Sequence, residues 1–164
     1  VPMAQYNGQT VSSTRIRAAL EEGRLADANA MLGEPYAIDW PVVHGKGIGG
    51  LLGTPTLNQN YPAAALQPCA GVYLTRIFLD GQWRPAATRI GKRPTVDSSA
   101  DAAVTCETFV PDYAGDIYGR QPVLEFHKYY CPVRKFNSLE ELAALIHRAA
   151  NESKAYFVGE NAAK

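Results

Sequence analysis

The chain has 164 residues, and its 16 Lys plus Arg balance 16 Asp plus Glu, so the formal charge is zero. That length fits one domain whose core needs no disulfide or metal staple. Neutrality excludes a global pull on nucleic acid or anionic membrane, so an anion site has to be built locally from a few side chains and backbone amides.

The three cysteines, Cys69, Cys106 and Cys131, are odd in number and lack Cys-x-x-Cys spacing. Reduced thiols in a cytoplasmic protein are the simplest reading. No apolar run approaches the roughly 18–20 residues of a membrane span. Residues 1–10 have neither the basic start nor the apolar stretch of a signal peptide. The first residue is Val1 rather than Met, and a piece of a longer protein is expected.

Taken in order, the chain opens on helices. Ser12 or Ser13 can cap a helix through Ile16, Ala19 and Leu20, with Gly23 as its stop. A second helix fits Leu25 to Leu32, closed by Gly33 and barred from continuing by Pro35. Both carry little apolar surface and read as an appendage. From Tyr36 onward short β-rich runs alternate with Gly and Pro clusters. Strands are expected at about 36–44, 70–79, 82–90, 103–109 and 123–130. Asp80-Gly81 is a type I′ hairpin signal, because that turn needs positive φ at both central residues. Residues 45–62 read as one long loop, and loops of that length are commonly functional. Ser138 and Glu141 form a capping box ahead of a last helix with an apolar stripe of Leu139, Leu142, Leu145 and Ile146, fraying after Phe157. Strands joined by short turns, with one covering helix, predict a mainly β protein: a closed six-stranded antiparallel barrel with short N-terminal helices and a C-terminal helix.

Four segments carry candidate chemistry. In 44–58 the glycines Gly45, Gly47, Gly49 and Gly53 allow consecutive N–H groups to converge on phosphate oxygens. Thr56 and Asn58 add hard oxygen donors suited to Mg²⁺. An ordinary surface loop accounts for the glycines equally well. Alternation puts Glu107 on one strand face with Thr105 and Phe109. A carboxylate beside an aromatic ring can act as a general base, or can be a solvated surface group. Arg93, between Gly91 and Pro94, is either an anion clamp or an exposed turn cation. Tyr113 and Tyr118 either face a flat ring or pack the barrel edge.

Together these segments resemble the riboflavin kinase family, and more closely the C-terminal kinase module of bacterial bifunctional FAD synthetases. Pro55-Thr56-Leu57-Asn58 is similar to that family's Pro-Thr-Ala-Asn motif, Gly71-Val72-Tyr73 to its Gly-Val-Tyr strand start, and the run from Ile90 to Thr95 to its Ile-Gly-x-Arg-Pro-Thr. The resemblance implies ATP and riboflavin as substrates and FMN as product. It implies Glu107 as base, Thr56 and Asn58 on Mg²⁺ and the nucleotide, and Arg93 toward the flavin. Val11 to Arg17 resembles the end of an adenylyltransferase module. Residues 1–34 then belong to that module, 35–157 form the kinase unit and 158–164 a flexible tail. The missing module is the implied partner, with no nucleic acid and no membrane involved. The family's glycine loop usually carries arginines where Ile48 and Gly50 stand here, and Arg89 occupies a position where Asn is common. These departures keep open a weak or inactive flavin- or nucleotide-binding module, or a structural barrel of a larger synthetase.

Overall fold

The computed structural model describes residues 4–45, 53, 56–62, 64–92, 104–134 and 136–162. A small hairpin, β1 (Gln5–Tyr6) and β2 (Gln9–Thr10), leads into α1 (Ser13–Glu21) and α2 (Leu25–Leu32). Ser12 caps α1 by accepting from the backbone N–H of Arg15 at 3.3 Å. Gly33 closes α2 in the left-handed region at φ +79°, its N–H donating to the Asn29 carbonyl at 2.9 Å. A Cβ there would meet nothing within 4 Å, so the cost of Gly33→Ala is backbone strain alone. We expect about 1 kcal/mol of lost stability, read as a fall of a few degrees in thermal midpoint.

Seven antiparallel strands follow: β3 (Tyr36–Ile38), β4 (Val42–Val43), β5 (Thr56–Asn60), β6 (Gly71–Leu79), β7 (Gln82–Lys92), β8 (Val104–Phe109) and β9 (Leu124–Pro132). Their order across the sheet is β3-β9-β6-β7-β8-β5-β4. The β6–β7 turn has positive φ at Asp80 (+50°) and Gly81 (+80°), as its sequence requires. The last helix, α3, spans Leu139–Ala162 and continues beyond Phe157. Ser138 Oγ accepts from the Glu141 N–H at 3.2 Å, and the Glu141 carboxylate accepts from the Asn137 N–H at 3.0 Å.

The expected closed six-stranded barrel is corrected to a curled seven-stranded half-barrel. The run read as one strand over 36–44 breaks at Asp39-Trp40-Pro41 into two short edge strands, because Pro41 has no N–H to give a ladder. Those edges, β3 and β4, lie close in sequence, which bends the sheet round. Among the described residues no ladder joins them. The second correction is β5, which lies inside the segment read as loop. It pairs on one side with β4 and on the other with β8.

Both faces of the sheet are apolar, but against different partners. The concave face holds Tyr73, Ile77, Ile90, Cys106, Leu124 and Phe126. Leu20, Leu25 and Ala28 of the first two helices join this cluster, so those helices are part of the core rather than an appendage. Burial pushes the Cys106 thiol up to about 12, so it stays protonated and serves packing; Cys69, Cys106 and Cys131 are all free thiols. Across the inner wall Thr75, Thr88 and Thr108 bond hydroxyl to hydroxyl at 2.8 and 2.9 Å, which satisfies buried polar groups. The outer face presents Val72, Leu74, Ala87 and Phe109 to Leu145, Ile146, Ala149 and Ala150 of α3. Leu139, expected in that stripe, is 48% exposed: it sits at the helix start, ahead of the contact.

Candidate active site

Strand register builds the site on the outer face, beside the patch that α3 covers. Asn58 on β5 is directly opposite Glu107 on β8, and Glu107 is directly opposite Arg89 on β7. Opposite residues in an antiparallel pair point to the same side, with Cβ atoms about 4.5–5.5 Å apart. One row therefore carries an amide, a carboxylate and a guanidinium. The next row carries Thr56, Phe109 and Ala87. Thr56 and Asn58 thus lie on the same wall as Glu107, two residues apart on one strand.

The local chemistry follows from this placement. Glu107 is half-buried, its side chain 29% exposed, while Arg89 is 13% exposed. Arg89 Nη1 lies 3.5 Å from Glu107 Oε2. Asn58 is buried, and its Nδ2 donates to the Thr56 carbonyl at 3.2 Å. That leaves Oδ1 as the end of the amide able to meet a donor or a cation. Gly45 lies against this amide. A Cβ there would stand 2.7 Å from Asn58 Cγ and 2.9 Å from Oδ1, so only glycine lets the backbone approach. An amide oxygen here, with the Thr56 hydroxyl two residues away on the same strand face, is a donor set of the kind a hard cation takes. Among the described residues no cluster of three or more His, Cys, Asp or Glu could hold a metal ion. A cation carried in on phosphates suits such a donor set.

Beyond Phe109 the face opens into a cleft of about 530 Å³ lined by Gly53, Phe109, Asp112, Tyr113, His147 and Lys154. That volume is in the range of small-molecule sites. His147 sits edge-on to Phe109, with centroids 4.9 Å apart at 75°. Lys154 Nζ pairs with Asp112 Oδ2 at 2.9 Å and ties α3 to the loop after β8. Tyr113 donates to Asp80 at 3.0 Å, and the Arg84 guanidinium lies over its ring. Arg120 and then Tyr113, both hydrogen-bonded to Asp80, hold its carboxyl below the usual range. Tyr118 instead stacks on His44, at 3.7 Å and 22°. So Tyr113 borders the cleft, and Tyr118 packs where the glycine segment begins.

Of the glycines singled out in the sequence, Gly45 lies on Asn58, and Gly53 (φ +66°) lines the cleft. Gly47, Gly49 and Arg93 lie outside the described residues. The sequence points to the neighbourhood of the C-terminal helix for the ring but singles out no residue on the α3 side of the cleft. Its lining positions 147, 150, 151 and 154 follow i, i+3, i+4, i+7 spacing, so one face of the helix carried the signal.

A family model for riboflavin kinase matches residues 32–157. Similar proteins are bifunctional riboflavin kinase/FMN adenylyltransferases. That of Pseudomonas fluorescens is 37% identical, covering 87% of this chain and 45% of its own. That of Escherichia coli (strain K12) is 36% identical, with 92% and 47% covered. That of Listeria monocytogenes is 33% identical, with 90% and 46% covered. The chain spans about half the length of the curated relatives it matches. A crystal structure described as a macrolide-efflux protein from Streptococcus pneumoniae superposes with TM-score 0.81 at 28% identity, over 94% of this chain and 50% of that one. Among the described residues no helix is long and apolar enough to cross a membrane. A model match over most of the length, with relatives above 30% identity across it, makes this chain a member of the riboflavin kinase family.

Proposed function

We propose that the chain is a riboflavin kinase, moving the γ-phosphoryl group of ATP to the 5′-hydroxyl of riboflavin to give FMN and ADP. The observation that carries this is the cross-strand pairing of Asn58 with Glu107 on the outer face, with the cleft starting one row away at Phe109. Two residues along a strand span about 6.8 Å. A flat ring in the cleft can therefore send its ribityl chain along the face to Glu107. Phe109, Tyr113 and His147 supply ring edges and faces for such a ligand.

In this reading Glu107 accepts the proton of the 5′-hydroxyl as that oxygen attacks the γ-phosphorus. The new O–P bond forms as the bond from the γ-phosphorus to the β–γ bridging oxygen breaks, and ADP leaves with that electron pair. Thr56 and Asn58 would hold Mg²⁺, which when bound offsets charge on the phosphates. Backbone N–H groups of the glycine segment, at Gly45, Gly47, Gly49 and Gly53, would meet the triphosphate, and Arg93 would serve the flavin. The kinase unit begins near residue 35, and residues 1–34 are the end of an adenylyltransferase module whose helices α1 and α2 pack into the kinase core, while 158–162 continue α3. The family match over 32–157 and the relatives' names support that division. The free thiols suit a cytoplasmic protein.

The test is incubation with riboflavin, Mg²⁺ and ATP, followed by chromatography. FMN and ADP in equal amounts are expected. Quenched flavin fluorescence without FMN would make the chain a binding module instead.

A further inference from the structure

We propose that Arg89 is a catalytic anion clamp: its guanidinium holds the phosphoryl group while that group passes to the hydroxyl held by Glu107. The proposal rests on the kinase reading and adds a residue to it.

Arg89 flanks Glu107 on β7, on the side away from Asn58. The row therefore presents a cation at one end, the carboxylate in the middle and the metal-seating amide at the other end. A lone carboxylate would repel an incoming triphosphate; a neighbouring guanidinium offsets that repulsion.

Arg89 is held in place but only loosely paired. Its side chain is only 13% exposed, so it is fixed in place rather than waving in solvent. Yet its contact with Glu107 is a single Nη1–Oε2 approach of 3.5 Å. Charge-assisted N–H···O bonds close to about 2.7–2.9 Å and are often bidentate. The same sheet shows what a closed pair looks like. Arg76 and Glu125 are also cross-strand partners, on β6 and β9, and their Nε–Oε2 distance is 2.5 Å. The Arg89 pair is looser by 1.0 Å (3.5 minus 2.5), which leaves donors of the planar fork to bind another oxyanion.

Gly91 also leaves room for this cation. The Arg89 side chain lies over Gly91, where a Cβ would come within 3.2 Å of Nη2. The bare backbone of Gly91 lets the guanidinium rest along the face beside Glu107. A planar cation there matches the spread charge on the equatorial oxygens of a transferring phosphoryl group.

The test uses the full chain with Arg89→Met, Arg89→Lys, Glu107→Gln and the Arg89→Met/Glu107→Gln double variant. FMN formation gives kcat, fluorescence quenching gives riboflavin affinity, and calorimetry gives affinity for a non-hydrolysable MgATP analogue. Arg89→Met should lower kcat by about a hundredfold and weaken the analogue at least about fivefold, with riboflavin affinity unchanged. Arg89→Lys should recover only part, because the charge returns without the fork. The double variant should fall at least about tenfold below Glu107→Gln alone, since a clamp acts on phosphate independently of the base. If Arg89→Met does not fold, Arg89→Lys carries the test through the same two readouts. A kcat within threefold of wild type overturns the clamp while leaving the kinase reading intact. A double variant equal to Glu107→Gln also overturns it, because Arg89 would then act only through Glu107. If the wild type makes no FMN, the kinase reading has failed by itself. The calorimetry then decides the clamp, and unchanged analogue affinity overturns it.

Discussion

Glu107→Gln is expected to keep the fold and riboflavin binding while lowering turnover at least about a hundredfold, the usual scale for a lost general base. That loss corresponds to about 2.7 kcal/mol of transition-state stabilisation. The substitution is nearly isosteric and leaves an amide oxygen in front of Arg89, so the strand pairing of Asn58, Glu107 and Arg89 has no reason to shift. What disappears is the capacity to take up a proton. The discriminating measurement is kcat against riboflavin affinity in the same preparation. Reduced kcat with unchanged quenching supports the base. Near-wild-type turnover removes Glu107 from that role.

Asn58→Ala should act on the nucleotide side of the same row. It deletes the amide that lies under Gly45 and donates to the Thr56 carbonyl. It also deletes the oxygen assigned to Mg²⁺. Loss of an outer partner of a metal site alone costs about 10–100-fold in affinity or activity, and a direct donor should cost at least that. The expected result is a Mg²⁺ titration displaced to higher concentration by that factor, with riboflavin affinity preserved. Because Asn58 is 8% exposed, its deletion also leaves a small hole. A thermal midpoint measured alongside separates loss of fold from loss of metal. An unchanged Mg²⁺ response in a folded variant would contradict the assignment.

How far the sequence could be read depended on whether local chemistry or distant pairing decided each element. Ser12, Gly33, Asp80-Gly81 and the Ser138–Glu141 box are local devices, and their elements begin, turn or end where those residues require. Strand β5 was different. Thr56-Leu57-Asn58-Gln59-Asn60 contains two Asn and one Gln, poor strand formers by propensity. It is extended because β4 and β8 pair with it on both sides. Only Leu57, Gln59 and Tyr61, alternating inward, hinted at it. Barrel closure was overestimated for a related reason: the alternation through 36–44 continues across Pro41, but the ladder does not. The first two helices looked polar, yet Leu20, Leu25 and Ala28 suffice to cap the concave core. For the candidate site, motif order singled out Thr56, Asn58 and Glu107, but only register shows that they share a wall. Arg89 sat in view as a departure from a family pattern, and its place beside Glu107 emerges only from β7–β8 pairing.

Riboflavin and Mg·nucleotide are expected to meet on the outer face of the sheet, along the Asn58–Glu107–Arg89 row. A crystal structure of the chain with riboflavin and MgADP tests this most directly. The ribityl 5′-oxygen should lie about 2.6–3.2 Å from a Glu107 carboxylate oxygen. The cation should sit about 2.0–2.1 Å from oxygens of Thr56 and Asn58. Ligands bound elsewhere, with the 5′-oxygen out of reach of Glu107, would contradict it.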